Sequence, residues 1–101
     1  MAGVGKLLKQ AQKMQRGITE AQQKLTDERI EISHGGGAIR ITVNGHGAVL
    51  ALNLDPNFLK EDKTFVEVAL VAALQEAGDK ARELHEATMA KATAGFQLPG
   101  F

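Results

Sequence analysis

At 101 residues, 44% of them hydrophobic, the chain is sized for one domain with a modest core. Aromatics are only 4%, with no Trp and no Tyr, so that core must be aliphatic and alanine-rich, and the lack of Cys excludes disulfides and thiolate metal sites. The formal net charge of zero hides a polarity: residues 1–25 hold five Lys/Arg against one acid, and residues 26–101 hold seven against eleven.

The spacing predicts a first helix from about Lys6 to Leu25, with Gly17 tolerated inside it at roughly 1 kcal/mol relative to Ala. Leu7, Ala11, Met14, Ile18, Ala21 and Leu25 fall within an arc of about 80°, spaced 4-3-4-3-4 like a coiled-coil seam. Lys6, Lys9, Lys13, Arg16 and Lys24 form a second stripe of similar width, centred roughly 140° round the helix. Such a helix can bury one side against protein and present cations on the other. The period then changes. Ile30 and Ile32 alternate with Arg29, Glu31 and Ser33, a strand facing a core on one side. Gly35-Gly36-Gly37 is a turn, and Ile39, Ile41 and Val43 mark a second strand. Asn44-Gly45 signals a hairpin, lengthened by His46-Gly47. The third strand, Val49 to Leu54, is apolar on both faces in its first half. It is therefore expected to be the most buried strand or to lie at a subunit contact.

Asp55-Pro56 ends that strand and opens a short turn through Leu59. Thr64-Phe65-Val66-Glu67 matches a capping box, and a helix of about 30 residues, roughly 45 Å, follows to about Ala94. Its first half is apolar nearly all round, so it must be buried on more than one side. Leu70, Leu74, Ala77, Ala81 and Leu84 continue a 4-3 spacing and are the expected dimer contact. Arg82–Glu86 and Glu76–Lys80 can pair at i,i+4 on the wet side. Gly95 is a stop, and Phe96–Phe101 an apolar tail.

This order gives a single α+β domain over residues 1–101: α-β-β-β-α, a three-stranded antiparallel meander with two long helices on one face. A seven-residue strand spans roughly 23 Å, about half the second helix. One sheet cannot cover that helix, so the surplus is expected to meet a second subunit across a two-fold axis. The expected assembly is a homodimer with projecting helical arms.

Catalytic and metal-binding patterns are not found. His34, His46 and His85 have no His or Cys partner at ligand spacing, and Met89 stands where a zincin would carry its second His. Ser33 and His34 are adjacent on a strand and point to opposite faces. Gly3-Val4-Gly5-Lys6 is followed by Leu7 rather than the Ser or Thr of a phosphate-binding loop. No catalytic residues, metal, cofactor or small-molecule substrate are expected. No apolar run suits a signal peptide or membrane span, so a cytoplasmic location without membrane partners is expected. The basic stripe then leads. Its cations repeat every 5–6 Å or so, no aromatic lies among them, and the chemistry fits duplex phosphate backbones rather than stacking on single strands.

Four strings, in order, resemble the YbaB/EbfC family of bacterial nucleoid-associated proteins. They are Leu7-Leu8-Lys9-Gln10-Ala11-Gln12-Lys13-Met14-Gln15, Ile41-Thr42-Val43-Asn44-Gly45, Leu54-Asp55-Pro56 and Gly95-Phe96-Gln97-Leu98-Pro99-Gly100-Phe101. The resemblance implies a tweezer-like homodimer that binds DNA through its helical arms and helps organise the nucleoid. It carries over Lys6, Lys9, Lys13 and Arg16 as DNA contacts, with Lys24 on the same face nearer the sheet. Ala48–Leu54 departs from many relatives in having no Lys or Arg. The alternative is a dimeric protein-interaction scaffold whose lysines only keep the arms soluble.

Overall fold

The computed structural model describes residues 2–94. The tail expected over Phe96–Phe101 and the stop at Gly95 lie outside the described residues. Helix α1 runs over Ala2–Asp27, strands β1, β2 and β3 over Ile30–His34, Ile39–Val43 and Val49–Leu54, and helix α2 over Lys63–Thr93. A short 3-10 turn at Phe58–Lys60 precedes α2. The sheet is antiparallel in the order β1-β2-β3.

Alternation places Ile32, Ile39, Ile41 and Val43 on one sheet face, where they are buried against Ala73, Ala77 and Ala81 of α2 and against Phe58. The three alanines recur at i,i+4 and share one stripe. Their small side chains let α2 lie close on the sheet. This is the alanine-rich core the composition requires. Ala77 and Ala81, two residues of the expected dimer contact, are buried within the chain against the sheet.

Helix α2 packs on β1 and β2, and α1 packs along α2. The third strand is therefore not the most buried; it is an edge strand, exposed almost throughout. Leu52 and Leu54 lie opposite the buried Ile41 and Ile39, on the core face, yet Leu52 is 51% exposed. The helix simply does not reach over it. A register shift at Thr42/Val43 pairs Val43 with Val49, a bulge that adds twist at this edge.

Two contacts fix which flank of α2 faces β3. His34 of β1 meets Glu76 at 3.4 Å, while His46 of the β2–β3 loop stacks edge-on to His85 with ring centroids 5.8 Å apart. Leu74 precedes His85 by eleven residues, about three full turns, so it lies on the flank toward β3.

The connections are built locally. Gly35, Gly36 and Gly37 all have positive φ, at 63°, 69° and 95°, which Gly alone adopts freely. Asn44, buried, accepts from the backbone N–H of His46 and of Ala48 at 2.9 and 3.0 Å. That side chain closes the longer loop the sequence implied. The loop then clamps α1: Gly45 N–H donates to the Leu25 carbonyl at 2.8 Å, and a Cβ at Gly45 would stand 2.5 Å from Leu25 Cδ2. No side chain fits there without displacement.

Helix α2 starts earlier than the capping box at Thr64 predicts. Asp62 is its N-cap, accepting from Thr64 N–H at 3.2 Å, so Thr64 is already helical. Asp caps as well as Thr or better and stands two residues upstream. The expected surface pairs also differ, since Arg82 meets Asp79 at 3.1 Å and Glu76 meets His34. An acid N-terminal to its base is the favoured helical order.

Candidate nucleic-acid interface

The apolar seam of α1 is filled unevenly. Leu25 is fully buried and Ala21 is 9% exposed, whereas Leu7, on the same stripe, is 57% exposed; Ile18 and Met14 are intermediate. The cause is the antiparallel course of α2. Its last turn comes alongside Gly17, where a Cβ would lie 3.7 Å from the Ala92 carbonyl. From residue 13 back to residue 3 every residue of α1 is exposed. This arm of about 16 Å contributes to an extent of 71 Å along the long axis, against 25 and 17 Å across, with a radius of gyration of 19.9 Å. A compact chain of this length would have a radius near ~13 Å.

Lys6, Lys9 and Lys13 are exposed on that arm, and Arg16 is exposed at its base. Among the described residues the ion pairs are His34–Glu76 and Arg82–Asp79, so no described acid neutralises these four. The first turn of α1 holds no acidic residue, which leaves the positive end of the helix dipole to add to their field. Lys24 is exposed too, but stands apart. It lines a groove between the helices with Glu20, Glu28 and Lys91, where two acids offset two bases.

Lys91 was missed from sequence. Its proximity to Lys24 follows only once α2 is seen to run back along α1, although the matching 4-3 seams of the two helices carried that signal. The sheet contributes little charge. Its uncovered face carries Arg40 together with Glu31, Ser33, Thr42 and Asn53, a mixed polar surface. Of the expected dimer residues, Leu84 lines the α1–α2 groove and Leu70 packs against the core. Leu74 remains accessible, at 43%.

The described arm is thus a protruding helix with exposed cations along one stripe. Residues 1–96 match the model of the YbaB/EbfC DNA-binding family. The chain belongs to this family. The chain is 36% identical over 97 residues to a nucleoid-associated protein of Psychrobacter sp. (strain PRwf-1), covering 92% of this chain and 88% of the relative. A nucleoid-associated protein of Anaeromyxobacter dehalogenans (strain 2CP-C) is 35% identical over 95 residues, covering 93% and 92%. The crystal structure of an uncharacterised protein from Helicobacter pylori superposes with a TM-score of 0.72 at 24% identity, covering 86% of this chain and 89% of that one. That likeness concerns the fold alone. The α-β-β-β-α order read from sequence is the order observed.

Proposed function

We propose that this YbaB/EbfC chain is a non-catalytic, homodimeric, nucleoid-associated protein that binds duplex DNA through phosphate contacts from Lys6, Lys9, Lys13 and Arg16. The observation that carries the reading is the exposed, unneutralised cationic stripe on an arm held clear of the domain. Its i, i+3 and i+4 spacing sets charges about 5–6 Å apart, suited to several phosphates at once. Family membership supports DNA as the partner, and the names of the relatives support the nucleoid as the place of action.

The dimer is supported by what the chain leaves uncovered. Val49, Leu50 and Leu52 of the edge strand and Phe65, Val68, Val71 and Leu74 of α2 are all exposed. An apolar edge strand without Lys or Pro is an aggregation hazard unless something covers it. A second copy across a two-fold axis covers both at once. The contact therefore centres on Leu74 and β3; Ala77 and Ala81 are buried within each subunit, and Leu84 lines the groove between the helices.

Salt tests the binding mode. With four cationic contacts from each subunit, log Kd plotted against log salt is expected to change with a slope magnitude of about 5 to 7. Fluorescence anisotropy with a labelled duplex measures it. A slope near zero would remove the phosphate-contact mode, and absence of binding at low salt would favour the scaffold reading.

A further inference from the structure

We propose that the exposed end of the α1 seam pairs with the same stretch of a second copy from another dimer, so that two arms back to back hold two duplexes together. This rests on the duplex-binding reading above. The seam is a single stripe used twice: α2 fills its lower end at Ala21 and Leu25, and the stripe continues through Ala11, Leu7 and Val4 with no described residue over it. The occupant it fits is another helix with the same seam, because its 4-3 spacing is that of interlocking helices.

Charge selects an identical copy rather than an oppositely charged one. With Leu7 at heptad position d, the flanking e and g positions between residues 3 and 17 are Leu8, Gln15, Gly3, Gln10 and Gly17, all neutral. Like charges there would repel a second copy. The cations Lys6 and Lys13 fall at c, and Lys9 and Arg16 at f, away from the seam. Paired arms thus direct their cationic stripes to opposite sides, one duplex on each. A seam this short is weak alone. Many copies bound along DNA raise its effective concentration, and pairing then becomes favourable.

The test immobilises one biotinylated duplex on beads and measures capture of a second, fluorescent duplex by the full chain. Leu7 and Leu8 are 57% and 59% exposed, so Leu7→Gln with Leu8→Gln keeps the core intact. That variant is expected to lower capture by about ten-fold or more while shifting single-duplex affinity by less than about two-fold. Leu7→Met with Leu8→Met should capture as the parent does. A parent that shifts one duplex but captures no second would overturn the pairing alone. So would undiminished capture by the Gln variant, the outcome if the seam serves a membrane, another protein or residues 95–101. Loss of single-duplex binding by the parent would overturn the DNA reading, and this inference with it.

Discussion

Changing Lys9 and Lys13 together to Glu is expected to weaken duplex binding at least about 100-fold at moderate salt. In a dimer the two substitutions remove four cations and introduce four anions along the path of the phosphates. Both residues are exposed, on a stretch of α1 that is exposed throughout. Glu has nearly the helix propensity of Lys, so the fold and the dimer should be unchanged. Gel shift against circular dichroism and sedimentation separates the two effects. Binding retained by this variant would move the contact off the arm, with the groove holding Lys24 and Lys91 the next place to look.

Leu74→Asp is expected to break the dimer and spare the chain. Leu74 is 43% exposed in the single subunit, so an Asp there meets water in the monomer. In the proposed dimer it would be a buried, unpaired carboxylate costing about 3–5 kcal/mol. That raises the dimer dissociation constant by about 100- to 4,000-fold. Light scattering at micromolar protein should find a folded monomer. An unchanged dimer would exclude Leu74 and the adjoining β3 edge from the contact. Monomerisation should also weaken DNA binding, since only one arm engages per particle.

The elements were legible because each carries its own period. The shift from 3.6 to 2 near Arg29 and back near Lys63 marks both helix boundaries to within a few residues. Sequence says less where the answer depends on which neighbour covers a face. Ala77 and Ala81 lie on an apolar stripe, and a stripe does not say whether it meets a sheet or a subunit. The apolar third strand reads as either buried or at a subunit contact, because its side chains alone do not say what covers them. In the fold α2 stops over β2, and the same leucines become the exposed edge. The capping box at Thr64 failed for a local reason, a stronger cap two residues earlier. The cationic stripe was fully legible, since five of the six charged residues in the first 25 are basic and share one side of a helix. What sequence did not reveal is the length of arm that no described residue covers, which follows from where α2 ends beside Gly17.

The most direct measurement of where DNA lies is lysine footprinting: brief acetylation with and without a saturating duplex, read residue by residue by mass spectrometry. Strong protection of Lys6, Lys9 and Lys13 is expected, with little change at Lys60, Lys63 and Lys80 on the body of the domain. Uniform labelling in both conditions, or protection confined to the body, would contradict the assignment of binding to the α1 arm.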